Sequence, residues 1–262
     1  MSARPVALVT GSGTGVGAAT VARLAARGWD VVVNYTKSEA EAQATAAACR
    51  EAGADVLVVR ADVARDDECR ALVRAAVEHH GRLDALVNNA GVTSFAGPDN
   101  WDAIDEATFK RVVGVNAGGS FQMIRAAAPH LKTAQGSIVN VSSIAGSLGI
   151  GSSVAYIASK GALNAMTLYF ARALAPHVRV NAVCPGLIDT RWFAVGIGAE
   201  RAAQVQAAYE ARAPLQRAAT ADDVAEAVVW LIDGARMVTG ELLLLDGGMH
   251  LGGTVPVPGA RS

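Results

Sequence analysis

The chain has 262 residues, of which 52% are hydrophobic and 18% charged, and its mean hydropathy is +0.28. This composition excludes an intrinsically disordered chain, and the length suits one α/β domain with a single large core. The formal net charge of −1 leaves no global field that would recruit nucleic acid or an anionic membrane.

The sequence lacks the usual signals for export and membrane insertion. Residues 1–11 enter an apolar run without the charged flank and cleavage site of a signal peptide. No uninterrupted apolar run approaches the ~18 residues that a spanning helix needs. Cys49, Cys69 and Cys184 are widely spaced and form no zinc or redox motif. We therefore expect a protein of the reducing cytoplasm, with no membrane or nucleic-acid partner.

Short apolar runs rich in β-branched residues alternate with helical stretches along the chain. The predicted strands are Val6–Thr10, Val31–Asn34, Val56–Val59, Ala85–Asn88, Ser137–Val141, Val178–Val183 and Leu242–Leu245. The predicted helices are Gly15–Arg27, Ser38–Ala52, Asp66–His80, Phe109–Lys132, Tyr156–Ala175 and Ala221–Asp233. Because the strands are continuously apolar, both of their faces are expected to be buried in a parallel sheet. The pattern predicts a single doubly wound Rossmann-type α/β domain over residues 1–262, with a seven-stranded, mainly parallel sheet and helices on both faces.

Two segments depart from the alternation of strand and helix. Residues 191–213 contain aromatic, glycine and alanine residues but no predicted strand, and we expect them to form a lid over the substrate. Residues 252–262 are rich in glycine and proline, which predicts a tail or a partner-contacting extension.

The first predicted strand ends in a glycine-rich turn that runs directly into a helix. The turn reads Thr10-Gly11-Ser12-Gly13-Thr14-Gly15-Val16-Gly17. Glycines let the backbone approach a pyrophosphate, and the free N–H groups of the helix start face its charge. A nucleoside triphosphatase would need Lys followed by Ser or Thr after the last glycine, where Ala18 and Ala19 stand. The turn therefore predicts a dinucleotide site.

A second candidate site combines Tyr156, Lys160 and the serines that follow the fifth predicted strand. Tyr156 and Lys160 are four residues apart, so they share one face of a helix. A nearby ammonium lowers the pKa of a phenol, which is ordinarily near ~10, towards that of a usable acid or base. Such a pair alone also suits a solvated helix face. Ser142 and Ser143 add hydroxyls at the carboxyl end of a strand, where open α/β sheets bind ligands.

With these motifs, the chain resembles the short-chain dehydrogenase/reductase family over nearly its full length. The matching residues, in the order and spacing of the family, are Thr10-Gly11-x-x-x-Gly15-x-Gly17, Asp62-Val63, Asn88-Asn89-Ala90-Gly91, Asn116, Ser143, Tyr156-x-x-x-Lys160, Pro185-Gly186, Thr190 and Asp246-Gly247-Gly248. The resemblance implies a catalytic tetrad of Asn116, Ser143, Tyr156 and Lys160. Tyr156 would exchange a proton with the substrate oxygen, to which Ser143 would donate a hydrogen bond. Lys160 would lower the pKa of Tyr156 and hold the nicotinamide ribose, and Asn116 would anchor a water that links Lys160 to solvent.

The resemblance also implies the contacts of a nicotinamide dinucleotide. The implied contact residues are Gly11, Thr14, Gly15, Val16, Gly17, Asp62, Val63, Asn89, Ala90, Gly91, Tyr156, Lys160, Pro185, Gly186, Ile188 and Thr190. Asp62 would border the adenine, although an Asp here also suits a cap of the following helix. Asn88-Asn89-Ala90-Gly91 would pack beside the cofactor, or serve only as a turn that stabilises the sheet.

The end of the second predicted strand bears on the choice between NADP and NAD. NAD enzymes commonly carry an acidic residue about 20 positions past the glycines. Tyr35 stands there instead, followed by Thr36, Lys37 and Ser38, which can donate to a 2′-phosphate. The sequence favours NADP. NAD stays possible, because Thr14 occupies a position that is basic in many NADP-using relatives and Lys37 also suits a solvated helix start.

The substrate is less closely defined than the reaction. The whole-chain pattern resembles 3-oxoacyl-acyl-carrier-protein reductases, which grip an acidic carrier with basic residues at two helix ends. His130 and His177 stand at those ends, and Lys132 and Arg179 are the basic residues that would substitute, so an acyl carrier partner is doubtful. A small free carbonyl or alcohol is the alternative. The expected apolar pocket wall consists of Ile144, Leu148, Ile150, Trp192 and Phe193.

The helix Tyr156–Ala175 is apolar nearly all round, which requires partners on two sides. The family resemblance implies a homotetramer with this helix at an interface, and a helix buried within its own chain is the alternative. The five histidines, His79, His80, His130, His177 and His250, show no ligand spacing. We expect them at the surface or at helix ends, with no metal site.

The leading hypothesis is an NADP(H)-dependent oxidoreductase that interconverts a ketone and a secondary alcohol, with a 3-oxoacyl reductase as one form. An NAD-dependent dehydrogenase of a sugar, polyol or steroid-like alcohol is the alternative within enzymes. A nucleotide-sensing regulator without turnover is the alternative from another class. The complete tetrad argues against a regulator, since a sensor has no need of Ser143 and Tyr156 together.

Overall fold

The computed structural model describes residues 4–252, in which strands and helices alternate. The strands are β1 Val6–Val9, β2 Asp30–Tyr35, β3 Val56–Arg60, β4 Ala85–Asn88, β5 Ser137–Val141, β6 Arg179–Pro185, β7 Ile188–Asp189, β8 Ala219–Thr220 and β9 Leu242–Leu245. The α-helices are α1 Gly15–Ala26, α2 Glu39–Glu51, α3 Asp66–His80, α4 Glu106–Val113, α5 Ser120–Ala134, α6 Ala145–Leu148, α7 Val154–Ala173, α8 Arg191–Ile197, α9 Ala199–Glu210 and α10 Ala221–Val229. Two π-helical turns, Gly114–Gly119 and Trp230–Gly234, and two 3-10 turns, Trp101–Ala103 and Met249–Leu251, complete the described elements.

Seven of these strands form one sheet in the order β3-β2-β1-β4-β5-β6-β9. Every pairing in this sheet is parallel, so the predicted doubly wound α/β fold is confirmed and the sheet is wholly rather than mainly parallel. The strand order reverses between β1 and β4. A crevice opens at such a reversal, outside the carboxyl ends of the strands, and ligands of open α/β sheets bind there.

Both faces of the sheet are buried, which explains the continuous apolar runs. Ala7 and Val9 of β1 lie in a cluster covered by α1, α2 and α10, whereas Val6 and Leu8 lie in a second cluster covered by α3, α5 and α7. Burying a Val or Leu side chain contributes about 1.5–3 kcal/mol. The two clusters therefore hold the sheet in a rigid position between two helical layers.

One predicted helix, Phe109–Lys132, is divided in the structure. A π-helical turn at Gly114–Gly119 joins α4 to α5, and hydrophobic periodicity does not predict such a turn. Close packing explains why residue 119 of this turn is a glycine. A Cβ added to Gly119 would lie 2.8 Å from Cγ2 of Val63.

Residues 191–213 contain no strand, as predicted, and form α8 and α9. Gly198, with φ of +84°, separates the two helices. The short parallel pair β7 and β8 closes the base of the segment, with Ile188 opposite Ala219 and Asp189 opposite Thr220. Both ends of the segment are thus fixed close together.

The predicted tail, residues 252–262, lies outside the described residues except for Gly252. Among residues 4–252, the structure contains no helix that combines the length and the apolar character needed to cross a bilayer.

The packing of the π-helical turn allows a matched test. We expect Gly119→Ala to destabilise the protein by about 1–3 kcal/mol, because its methyl group would overlap Val63. Gly114→Ala is the control, since a Cβ there meets nothing within 4 Å, and it should be neutral or stabilising. Thermal and urea unfolding of the two variants measure the difference. Equal midpoints would show that this contact is not tight.

Candidate active site

The glycine turn lies at the reversal of strand order and is fastened to the neighbouring strand. The backbone N–H of Gly11 donates to Oδ1 of Asn34 at 3.0 Å, and Ser12 Oγ accepts from the N–H of Asn34 at 3.0 Å. The hydroxyl of Ser12 also donates to the carbonyl of Val9 at 2.7 Å. These bonds fix the path of the backbone before α1 begins.

The turn has room for a phosphate group where α1 starts. A Cβ at Gly17 would lie 2.5 Å from Nδ2 of Asn89, whereas a Cβ at Gly15 would meet nothing within 4 Å. Gly15 is exposed with φ of +56°, and the preceding residue, Thr14, makes no side-chain cap. The first N–H groups of a helix need acceptors, and an anionic phosphate supplies them. The chain therefore offers a fitting cradle for a dinucleotide.

The Asn88-Asn89-Ala90-Gly91 segment joins the end of β4 to the glycine turn. Nδ2 of Asn89 donates to the carbonyls of Thr10 and Gly11 at 2.9 and 3.0 Å. The backbone N–H groups of Asn89 and Ala90 both donate to Oγ1 of Thr10 at 3.0 Å. The segment thus stabilises the sheet, and it does so at the edge of the predicted cofactor site.

Three predicted catalytic residues lie together at the carboxyl end of β5. Ser143 follows that strand, and Ser153 caps α7 so that Tyr156 and Lys160 lie in its first turns. Nζ of Lys160 lies 5.6 Å from the centroid of the Tyr156 ring and donates to the carbonyl of Val141 at 2.8 Å. The Ser143 hydroxyl, which donates to the Pro185 carbonyl at 3.4 Å, lies near enough to the Tyr156 phenol to influence its pKa. This is an arrangement of acid, hydrogen-bond donor and cation on one small surface.

Asn116 lies in the π-helical turn and contacts α7 through a neighbour that sequence reasoning missed. Its Nδ2 donates to Ser159 Oγ at 2.9 Å and to the carbonyl of Val92 at 3.0 Å. Its Oδ1 accepts from the N–H of Val92 at 2.8 Å. Ser159 in turn donates to the carbonyl of Tyr156 at 2.7 Å. A buried amide needs such partners, but the sequence alone does not reveal which hydroxyl supplies them.

Similarity to known proteins agrees with this geometry. A family model described as enoyl-(acyl carrier protein) reductase matches residues 11–250. A protein described as ketoacyl reductase 2 of the granaticin polyketide synthase, from Streptomyces violaceoruber, is 46% identical over 248 residues, covering 94% of this chain and 96% of that protein. Cis-4-hydroxycyclohexanecarboxylate dehydrogenase from Sinomonas cyclohexanicum is 39% identical over 249 residues, covering 94% of this chain and 96% of that protein. A crystal structure from Burkholderia xenovorans, assigned to the short-chain dehydrogenases/reductases, gives a TM-score of 0.88 at 40% identity and covers 96% of this chain and 100% of that one.

This chain belongs to the short-chain dehydrogenase/reductase family. It is an oxidoreductase of the class that acts on CH–OH and carbonyl groups with NAD(P).

Burial sets the protonation of the two central residues of this dehydrogenase site. Burial raises the pKa of Tyr156 to about 12, and the nearby Ser143 hydroxyl opposes that rise. Burial also lowers the pKa of Lys160 to about 8. The expectation of a lowered Tyr156 pKa is therefore wrong for this structure. Desolvation outweighs any stabilisation of the phenolate, and the Lys160 ammonium bonds the Val141 carbonyl.

At the end of β2, the structure adds a cation to the predicted adenosine site. Arg60 ends β3 opposite Tyr35, and its Nε donates to the carbonyl of Thr36 at 3.3 Å. Thr36, Lys37 and Arg60 are all exposed or nearly so, whereas Tyr35 is buried. Sequence reasoning missed Arg60 because it lies 23 positions past Lys37. The parallel pairing of β2 with β3 brings the two together.

Asp62 and Val63 follow β3 at the same edge of the sheet. Oδ1 of Asp62 accepts from the N–H of Ala64 at 2.9 Å, so it closes a turn, while Arg65 occupies the N-cap position of α3. The alternative role of Asp62 as a helix cap is therefore wrong. Val63 is buried against Gly119.

The end of β6 provides the predicted nicotinamide side. The Pro185 carbonyl accepts from the N–H of Ile144 at 3.0 Å and from the Ser143 hydroxyl at 3.4 Å, which ties this end to the catalytic serine. Ile188 lies in β7, and Thr190 precedes α8 without a side-chain cap bond. These residues follow one another along the same edge of the site.

The predicted substrate wall divides into exposed and packed residues. Leu148, Ile150 and Trp192 are exposed, with 66% of Ile150 accessible, while Ile144 is buried. Phe193 is half-buried, and its ring centroid lies 5.6 Å from that of Phe95, a residue that sequence reasoning missed. A Cβ at Gly196 would lie 2.0 Å from Cε2 of Phe95. Phe95 thus packs directly against α8.

Arg179 is engaged within its own chain rather than presented to an acyl carrier. Its guanidinium donates to the carbonyls of Leu231, Ile232 and Ala235 at 2.6–3.0 Å, where it satisfies the end of the helical segment after α10. These carbonyls are the orphan acceptors of a helix end, and a cation suits them. The suggestion that Arg179 grips a carrier is therefore wrong, whereas Lys132 stays exposed.

His80 lies at a helix end, as expected, because it is the last residue of α3. Its side chain is nevertheless only 2% exposed, and burial lowers its pKa. Oδ2 of Asp55 lies 3.0 Å from Nε2 of His79 and 3.4 Å from Nδ1 of His80. Asp55 directly precedes β3, so the cluster lies at the amino ends of the strands, on the side of the sheet opposite to the site.

The buried ammonium of Lys160 leads to a prediction about stability. Its folded-state pKa of about 8 lies below the unfolded value of 10.5, so the unfolded chain binds more protons between these pH values. Below pH 8 the charge opposes folding, and the opposition disappears above 10.5. We expect Lys160→Met to stabilise the protein by on the order of 2 kcal/mol at pH 7, with the gain shrinking as pH rises through this window.

Unfolding midpoints at pH 7, 9 and 10.5 test this expectation. Lys110→Met removes an exposed lysine and serves as the control, for which no such trend is expected. A Lys160→Met variant that is less stable than the wild type at pH 7 would contradict the assignment of a costly buried charge.

Proposed function

We propose that this protein is an NADP(H)-dependent oxidoreductase that interconverts a ketone and a secondary alcohol. One observation carries the proposal. The Ser143 hydroxyl, the Tyr156 phenol and the Lys160 ammonium converge at the edge of the sheet that also holds the glycine cradle. A nicotinamide dinucleotide whose phosphates are held by that cradle would supply or accept the hydride, and the side chains would bind the substrate oxygen and exchange its proton.

Each catalytic side chain has a separate task in carbonyl reduction. Tyr156 donates its proton to the substrate oxygen as negative charge develops there. Ser143 donates a hydrogen bond to the same oxygen and stabilises that charge. Lys160 holds the nicotinamide ribose and, as a cation, stabilises the phenolate that remains. Asn116 positions α7 through Ser159 and, by family resemblance, anchors the water that returns a proton.

Protonation favours reduction as the working direction. The pKa of Tyr156 near 12 keeps the phenol protonated at neutral pH, which is the form that a general acid requires. Alcohol oxidation needs the phenolate instead. We therefore infer that the rate of reduction exceeds that of oxidation at pH 7, and that oxidation gains as pH rises.

Removing the phenol hydroxyl tests the mechanism. We expect Tyr156→Phe to lower kcat by about 10²- to 10⁴-fold, because the proton donor is lost, while cofactor affinity stays within about threefold. NADPH oxidation with 4-oxocyclohexanecarboxylate and with a 3-oxoacyl N-acetylcysteamine thioester measures it. Lys110→Ala changes an exposed side chain on α4 and is the control. Full turnover by Tyr156→Phe would refute the assigned acid.

The proposal of NADP rests on the charges at the end of β2. Lys37 and Arg60 supply two cations, and Thr36 and Ser38 supply hydroxyl and amide donors for a 2′-phosphate. Glu39 is the opposing charge nearby, and burial together with this carboxylate raises the pKa of Tyr35. Two cations against one carboxylate favour the phosphorylated cofactor.

Substitution of the two cations separates NADP from NAD. We expect Lys37→Ala and Arg60→Ala each to raise the dissociation constant of NADP⁺ by about threefold to thirtyfold, with little change for NAD⁺. Calorimetric titration with both cofactors measures this, and Lys110→Ala, on α4, is the control. Tighter binding of NAD⁺ than NADP⁺ by the wild type would establish the NAD-dependent alternative.

The substrate that we propose is a free, largely apolar ketone rather than a carrier-bound one. The predicted wall exposes Leu148, Ile150 and Trp192, and Arg179 is engaged within its own chain. The two relatives named above are a ketoacyl reductase and a dehydrogenase of a hydroxylated ring acid. Their names fit a site that accepts a carbonyl or alcohol on a carbon skeleton.

We further propose a cytoplasmic homotetramer with α7 at an interface. Members of the family are commonly oligomeric. Ala158, Ala162, Leu168 and Tyr169 are exposed on α7, so the helix is not buried wholly within its own chain. An exposed apolar stripe of this kind suits a second subunit. The three cysteines are unpaired and buried, which agrees with a reducing compartment.

A further inference from the structure

Tyr209, near the end of α9, reaches from the 191–213 segment into the end of the main sheet. Its hydroxyl donates to the backbone carbonyl of Asp246 at 2.6 Å, directly after β9. Burial raises the pKa of this phenol, and the nearby backbone of Leu187 opposes the rise. The hydroxyl thus links α9 to the chain directly after β9.

Gly186 leaves the space that this hydroxyl occupies. A Cβ at Gly186 would lie 2.0 Å from Oη of Tyr209 and 2.9 Å from its Cζ. Gly186 is not among the glycines with positive φ, so its conformation alone does not require glycine. Close approach of the Tyr209 phenol does require it. The glycine of the Pro185-Gly186 motif is therefore matched to a residue of α9.

A second polar contact between this segment and the body of the domain is weak. Arg191 lies 3.2 Å from Glu41 of α2, but their side chains are 60% and 43% exposed. Exposed ion pairs contribute little to stability. On the opposite side, Phe193 and Gly196 pack against Phe95 through apolar contact. Glu210 accepts from the N–H of Ala218 at 3.3 Å, close to β8, whereas the hydrogen bond of Tyr209 joins α9 to the end of the main sheet.

The Tyr209 hydrogen bond lies beside the loop that the proposed function assigns to the nicotinamide. Residues 187–190 and helices α8 and α9 enclose a cavity of about 190 Å³, lined in part by Leu187, Thr190, Phe193 and Gln206. Displacing α9 would open this cavity and expose Leu187, which lines it. The position of the loop therefore depends on how α9 is held.

We propose that Tyr209 is a positioning residue, which anchors the 191–213 segment to residues 185–190 and so holds that loop in place against the cofactor. The proposal rests on the proposed function, because it takes residues 185–190 to be the nicotinamide side. It assigns Tyr209 no contact with the reacting atoms. Its effect reaches the reaction through Gly186 and Leu187.

Tyr209→Phe removes the hydroxyl and keeps the ring. We expect the dissociation constant of NADP⁺ and the KM of the ketone to rise by about threefold to tenfold, as one hydrogen bond is lost. The kinetic isotope effect from NADPH deuterated at the transferred position should stay unchanged in single-turnover experiments. Amide hydrogen exchange of residues 185–190 and 199–210 should become faster in the protein without cofactor. Lys110→Ala, which changes an exposed side chain on α4, should alter none of these quantities.

Gly186→Ala provides a second test that separates positioning from a general loss of stability. Its methyl group would collide with the Tyr209 hydroxyl, so we expect weaker NADP⁺ binding than in either Tyr209→Phe or the wild type. Adding Tyr209→Phe to Gly186→Ala should restore part of that affinity, because the nearest clashing atom is gone. A structural role unrelated to residues 185–190 would make the two losses additive instead.

The outcomes distinguish this proposal from the proposed function. Unchanged affinity and unchanged hydrogen exchange in Tyr209→Phe, with a wild type that binds NADP⁺ and reduces ketones, would overturn the role of Tyr209 alone. A wild type that binds neither NADP⁺ nor NAD⁺ would overturn the proposed function and this inference with it. Faster exchange, weaker binding and partial rescue in the double variant together would establish the anchor.

Discussion

The parallel direction of all seven strands is the constraint on which the site depends. Because every strand ends at the same edge, the glycine turn after β1, the asparagines at the end of β4, Ser143 after β5 and Gly186 after β6 share one crevice. The two apolar clusters hold the strands rigidly between layers of helices. Groups that lie far apart along the chain are therefore brought to one edge of the sheet without long flexible loops.

Burial at that edge has an energetic consequence for the fold. Lys160 is only 5% exposed, and the hydrogen bond from its ammonium to the Val141 carbonyl replaces water only in part. The same desolvation strengthens every charge interaction within the crevice. In the proposed mechanism, the residue that weakens the fold is also the residue that stabilises a phenolate during turnover. Such opposition between stability and activity is expected where a cation acts inside an apolar wall.

The sheet and the tetrad were predicted from different kinds of evidence. Continuous apolar runs such as Ser137–Val141 predict buried strands from physical chemistry alone, and the strand, turn and helix around Gly15 predict a phosphate cradle. The roles of Ser143 and Asn116 needed the family resemblance. The missed residues share one cause, which is distance along the chain. The register of β2 and β3 places Arg60 near Lys37, and the π-helical turn places Asn116 against Ser159. Tertiary packing places Tyr209 against Gly186. None of these contacts produces a periodic pattern in the sequence.

The glycine at position 186 shows how a motif can carry two requirements at once. Family resemblance assigns Pro185-Gly186 to the cofactor, and a glycine there would let the backbone approach the nicotinamide. It does not explain why a Cβ at this position would lie 2.0 Å from the Tyr209 hydroxyl. A larger residue at 186 would push α9 outward even if the cofactor tolerated it. Under the proposed function, substrate selection by the 191–213 segment and cofactor binding by residues 185–190 are coupled through one phenol, and a change in either is expected to affect the other.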